Sequence, residues 1–170
     1  MDRIVDEALG ELMEGIYSDP GLFQNIFVPE RYAVRVVSHV AAHYLSNNHY
    51  FMPPLYLAIH GAPGEGKTMQ ALAACTRYGI MVRYLSASQL SGGYEGDSRA
   101  VIEEAYRQCE KLQRLGKYVC LVLDDFHLGN AALGNEASRT VNAELLVGYM
   151  LTRAEAAHSH RVPVLLKGTD

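Results

Sequence analysis

The octapeptide Gly61-Ala62-Pro63-Gly64-Glu65-Gly66-Lys67-Thr68 restricts the fold more than any other segment of the chain. It fits the pattern G-x-x-x-x-G-K-[ST], which works only when a strand delivers the chain to the loop and a helix receives it. Both neighbours are legible. Leu55–Ile59 is a short apolar run closed by His60-Gly61, and the residues from Lys67 to about Arg77 have helical spacing. Glycine lets the backbone turn its N–H groups inward and approach an anion without an intervening side chain. The helix start adds unpaired N–H groups and a positive dipole end. On this reading Lys67 reaches the β- and γ-phosphates of ATP or ADP and the Thr68 hydroxyl ligates Mg²⁺, with Met69 completing the nucleotide-binding stretch. The plainer alternative is a Gly-rich surface turn followed by an unrelated Lys-Thr pair, which would require neither flanking element.

The remaining pattern alternates in the same way. Ile80–Leu85, Tyr118–Leu123 and Val162–Leu166 read as further strands. Between them, residues 97–114 carry Val101, Ile102, Ala105, Tyr106, Cys109 and Leu112 on one helical face, and about 136–157 reads as a long helix. Glu103 with Arg107 and Glu110 with Arg114 are expected as i,i+4 pairs. Upstream, a helix starting near Pro29 presents Ala33, Val36, Val37, Val40 and Tyr44, and Asn47-Asn48 ends it. Residues 2–17 read as a helix through Val5, Ala8, Leu9, Leu12 and Ile16, stopped by Asp19-Pro20-Gly21. Strands alternating with helices imply right-handed crossovers and a parallel sheet covered on both faces. The organisation expected is an N-terminal helical extension over 1–28 and an α/β nucleotide-binding body over 29–170.

Leu121-Val122-Leu123-Asp124-Asp125 sets two carboxylates at the carboxyl end of a buried strand, where ligands of open parallel sheets bind. Asp124 is expected to hold Mg²⁺ through its waters and Asp125 to orient the attacking water. Without the phosphate loop, two acids opening a solvated turn would explain the pair equally well.

These motifs, their spacing and the segments between them resemble the AAA+ ATPases, and within that group the Rubisco activases. The likeness covers approximately residues 24–170. It includes Val28-Pro29-Glu30, Val36-Val37-Ser38-His39, Pro54-Leu55, Ser86-Ala87-Ser88-Gln89-Leu90, Gly96-Asp97, Arg107, Thr140-Val141-Asn142, Arg161-Val162-Pro163-Val164 and Gly168-Thr169-Asp170. The resemblance implies a three-layer P-loop NTPase of the AAA+ type with strand order 1-4-3-2. It implies an ATPase that remodels a protein substrate, Rubisco being one candidate, within a homo-oligomeric ring such as a hexamer. It further implies that Tyr94-Glu95-Gly96 is a substrate-gripping pore loop, that Gly129–Asn135 faces the pore, and that Thr169 is the γ-phosphate sensor. Glu95 stands where the family carries an apolar residue. Asp125 stands where most AAA+ enzymes have Glu, and activases tolerate Asp there.

A fifth strand, an arginine finger and a helical lid normally follow the sensor, and the sequence stops at Asp170 before them. A fragment of a longer protein is therefore expected, weakly active alone, with Leu55–Ile59 left at an open sheet edge. Another AAA+ remodelling or loading ATPase, such as a phage or bacterial protein loader, and a nucleotide-binding scaffold without turnover are the alternative functions.

Composition narrows the remaining classes. A net charge of −4 and the absence of a dense basic run argue against nucleic acid as a partner. The longest apolar stretches, six to eight residues, are too short to span a membrane. No leader is visible at the start, and Cys75, Cys109 and Cys120 read as buried reduced thiols, so a cytoplasmic protein is expected. His39 and His43 have a zinc-like spacing, but Val40 occupies the place of the metalloprotease Glu, so they are read as structural. His127, His158 and His160 are read as loop histidines, and Ser86 and Ser88 have no triad partners.

Overall fold

The apolar runs become the strands of one sheet in the computed structural model, which describes residues 15–46, 52–86, 89, 97–124, 148–154 and 161–168. Strands β1 (Ile16–Tyr17), β2 (Tyr56–Ile59), β3 (Met81–Leu85), β4 (Val119–Leu123) and β5 (Val164–Lys167) lie in the order β1-β3-β4-β5-β2. The β2–β5, β5–β4 and β4–β3 pairings are parallel. Taken alone, the four strands expected from the sequence have the order 1-4-3-2. Among the described residues β2 bonds to β5 alone, which leaves it at the edge.

The fifth strand corrects the expected N-terminal helix at its end. The chain turns at Gly15, with φ of +67°, and Ile16–Tyr17 pair antiparallel with Arg83 and Val82. A β-branched and an aromatic residue suit a half-buried pleated edge, and the sheet's available hydrogen bonds outweigh a helical turn there. Asp19 then caps a 3₁₀ turn over Pro20–Phe23, accepting a 2.8 Å bond from the Gly21 N–H. Phe23 from this turn is buried in the core.

Three helices complete the described frame: α1 (Glu30–Leu45), α2 (Lys67–Arg77) and α3 (Asp97–Arg114). Residues 148–154 are also helical. Alternation along β4 builds a core on each face. Val119, Leu121 and Leu123 pack with α3, Leu85, Val164 and Met150 on one side. Cys120 and Val122 pack with Val36 and Val40 of α1 and Ala71 to Cys75 of α2 on the other. Every residue of β4 is buried, as expected of a central strand covered by helices on both faces. The result is a three-layer α/β fold.

The Tyr44 hydroxyl of α1 donates to the Val119 carbonyl at 2.6 Å and accepts from the Val119 N–H at 2.8 Å. The charge pairs expected along α3 are redistributed. Glu103 bonds Arg99 at 2.9 Å, Arg107 reaches Glu104 at 3.0 Å, and Glu110 meets Arg153 at 3.7 Å, because the 148–154 helix brings that arginine across. Arg153 also sits 4.8 Å over the Tyr106 ring. No helix among the described residues is long and apolar enough to cross a membrane.

Candidate functional site

The loop of residues 61–66 joins the carboxyl end of β2 to the start of α2. Gly66 holds φ of +76° immediately before the helix, a left-handed conformation that costs other residues strain, and no side chain caps this helix start. The first-turn N–H groups, which have no partner within a helix, therefore face the loop. A Cβ at Gly61 would lie 2.4 Å from the carboxylate at the end of the exposed Glu65 side chain. The Gln70 side chain donates to the Glu65 carbonyl at 3.1 Å and steadies the far side of the loop. From Ala62 to Gly66 the loop is exposed, as is Met69.

Lys67, by contrast, is buried, and its ammonium bonds the carbonyls of Gly61 and Ala62 at 2.5 and 2.6 Å. A buried charge needs such partners, and these hold the cation over the loop. The Tyr32 hydroxyl of α1 donates to the Lys67 carbonyl at 3.1 Å, tying the helix start to the neighbouring helix. Burial pushes the Tyr32 phenol up to about 12, so it remains a donor.

Asp124 follows the last residue of β4 and is nearly buried. Its N–H continues the ladder to Leu85 at 2.9 Å, which sets the direction of the carboxylate. Oδ2 accepts from the Thr68 hydroxyl at 3.2 Å and from the Tyr84 hydroxyl at the end of β3. Oδ1 is paired with the Lys167 ammonium at the end of β5, 2.6 Å away. The carboxyl ends of β3, β4 and β5 thus meet the first turn of α2 at one place, the position where such sheets bind ligands.

The site residues expected from the sequence divide into two groups. Gly61 to Met69 and Asp124 are described, and the structure brings Thr68 and Asp124 into direct contact. Asp125, Thr169, the Tyr94-Glu95-Gly96 loop and Gly129–Asn135 lie outside the described residues, as do residues 2–14 and most of the helix expected over 136–157. Tyr32, Tyr84 and Lys167 were missed by sequence reasoning. For Lys167 a signal existed: a lone charge ends the apolar run Val164-Leu165-Leu166, at a strand end of the kind that already pointed to Asp124.

The residues present fit a polyphosphate. An uncapped helix start, a glycine-rich backbone and a lysine ammonium converge at the loop. Thr68 and Asp124 supply two oxygen donors of the type magnesium takes, alongside water and phosphate oxygens. Among the described residues no cluster of three or more His, Cys, Asp and Glu side chains offers an all-protein metal cage. His39 and His43 stack edge to face at 5.2 Å, and His43 Nε2 bonds the Pro54 carbonyl at 2.9 Å. Burial lowers the pKa of both rings, that of His43 to about 4. The three cysteines are free and buried, with Cys75 and Cys120 sulfurs 3.8 Å apart.

Comparison with known proteins agrees with this architecture. Residues 57–169 match the family model described as "ATPase family associated with various cellular activities (AAA)", and the chain belongs to that family. ATP binding is the property that membership implies. Its relatives include the chloroplastic ribulose bisphosphate carboxylase/oxygenase activase of Arabidopsis thaliana, 25% identical over 95% of this chain and 34% of the relative. The corresponding activase of Zea mays is 25% identical over 91% of this chain and 38% of its own length. Activase A of Hordeum vulgare is 28% identical over 75% of this chain and 31% of its own length. The chain therefore spans about a third of the curated relatives it matches.

Proposed function

We propose that this chain is the nucleotide-binding part of an AAA ATPase that binds Mg-ATP at the Gly61–Thr68 loop and hydrolyses it. The observation that carries the reading is the convergence of the buried Lys67 ammonium, the Thr68 hydroxyl and the Asp124 carboxylate around one uncapped helix start. Phosphoryl transfer to water depends on positioning and charge neutralisation more than on covalent chemistry. Lys67 and the loop amides hold the β- and γ-phosphates. Thr68 and Asp124 would hold magnesium, which would supply neutralisation of the phosphate charge. Asp125 orients the water and Thr169 senses the γ-phosphate; Gly61, Ala62, Pro63, Gly64, Glu65, Gly66 and Met69 line the nucleotide.

Titration of a fluorescent ATP analogue into the protein tests this. The parent should saturate, and Lys67→Ala should bind at least about ten-fold more weakly, the loss of one charge-assisted phosphate contact. Absence of saturable binding by the parent would remove the reading. Asp125→Asn should keep binding and lose turnover, and unchanged turnover would leave a nucleotide scaffold in its place.

For the longer protein we propose a homo-oligomeric ring that remodels a protein, with Rubisco as the partner. The support is the set of activases among the relatives, at 23–28% identity. Tyr94-Glu95-Gly96 is the proposed gripping loop. The full-length protein should restore activity to sugar-phosphate-inhibited Rubisco, and no rescue would assign the machine to another protein partner.

A further inference from the structure

Lys167 is the part of the site that the ATPase reading leaves without a role. Its stem leaves the end of β5 beside fully buried Leu165, and its ammonium is 2.6 Å from Asp124 Oδ1. The two side chains are 15% and 10% exposed, so water screens their attraction poorly. The other carboxylate oxygen already accepts the hydroxyls of Thr68 and Tyr84. Asp124 is thus neutralised and hydrogen-bonded on both oxygens by groups of the protein itself.

A divalent cation reaching Asp124, directly or through its waters, has to share that carboxylate with an ammonium of like sign. Like charges within a few ångströms in a poorly solvated place oppose one another strongly. Withdrawing the lysine instead means breaking a largely buried ion pair, which is costly because the partner is left uncompensated.

We propose that Lys167 is a resident counter-cation that competes with divalent metal for Asp124 and so weakens the magnesium dependence of nucleotide binding at this site. The inference rests on the Gly61–Thr68 loop binding nucleotide. It assigns to Lys167 control over metal affinity, a property separate from the phosphate contacts of Lys67.

The test uses the full 170-residue chain, a fluorescent non-hydrolysable ATP analogue, and Mn²⁺ as the metal probe, with free Mn²⁺ read by electron paramagnetic resonance. For the parent, analogue affinity should change by less than about three-fold between EDTA and excess Mg²⁺. In Lys167→Thr and Lys167→Met, added metal should tighten the analogue at least about ten-fold, with a matching gain in Mn²⁺ affinity. Lys167→Arg, which keeps the charge, should behave as the parent. Folded variants that hold Mn²⁺ within about two-fold of the parent would overturn the proposal.

The uncharged variants strand a buried carboxylate, so far-UV circular dichroism must accompany them. If they do not fold, the parent alone decides: analogue binding that rises about ten-fold or more with Mg²⁺ overturns the competition. That outcome leaves the nucleotide reading standing. No analogue binding under either condition overturns both.

Discussion

Tyr44→Phe should destabilise the fold by about 2–4 kcal/mol without touching the candidate site. The β4–β5 ladder begins where the Leu121 N–H meets the Pro163 carbonyl, so the backbone of Val119 has no strand partner on that side. The Tyr44 hydroxyl fills the gap, bonding both the Val119 carbonyl and N–H, and accepts a third bond from Gln113 Nε2 at 3.0 Å. Val119 is fully buried, so no water replaces the phenol easily. Burial pushes the Tyr44 phenol up to about 12, which keeps its proton in place for donation. A typical hydrogen bond contributes about 0.5–1.5 kcal/mol net, and stranding a buried polar group costs about 1–3 kcal/mol. Three bonds on one oxygen are not additive, which sets the range well below the simple total. Phenylalanine keeps the ring and its 5.1 Å edge contact with Tyr118, so packing loss is minor. Urea unfolding followed by far-UV circular dichroism should show a lower midpoint with an unchanged slope. The melting temperature should fall by about 5–12 °C for a chain of this size. A loss below about 1 kcal/mol would show that Val119 is satisfied by other means, and the tethering argument would fail.

Gly66→Ala should cost about 1–2 kcal/mol from the forced left-handed backbone and weaken binding of the ATP analogue, because the strain falls at the helix start; equal affinity would show that the loop relaxes freely. His43 is lowered to about 4 by burial, so the folded state stays neutral while the unfolded chain takes up a proton below pH 6.5. Stability is therefore full above pH 6.5 and falls as pH drops toward 4, by about 1 kcal/mol after discounting for partial exposure. His43→Gln should flatten that part of the pH–stability curve, and an identical slope would remove the assignment. Burial pushes the Cys109 thiol up to about 12, while the hydrogen bond shared with Cys75 and burial raise Cys120. All three thiols should resist Ellman's reagent in the folded protein and react on unfolding; rapid labelling of the native state would contradict this.

The frame of the site could be read before any coordinates because its signals are local. A glycine-rich octapeptide between an apolar run and a helical pattern leaves few folds, and Val119–Leu123 ending in Asp124 marks a central strand by its unbroken apolar run. Helical spacing placed α1, α2 and α3 for the same reason: the period is carried by neighbours in the chain. What escaped was decided between distant segments. Ile16–Tyr17 continue a helical stripe in sequence, yet become a strand because the edge of β3 offers hydrogen bonds that no local pattern records. Glu110 has Arg114 one turn away and instead meets Arg153 from another element.

The candidate site divides along that line. Lys67, Thr68 and Asp124 announced themselves because phosphate chemistry requires those residue types at those spacings. Tyr32, Tyr84 and Lys167 sit on separate elements, and only the parallel register that aligns the ends of β3, β4 and β5 brings two of them onto one carboxylate. Sequence thus determined the class of fold and the glycine-rich turn between β2 and α2, through backbone freedom and hydrophobic period. Tertiary structure decided the electrostatic state of Asp124, because the strength of a charge pair depends on distance and burial, neither of which is a property of the chain's order.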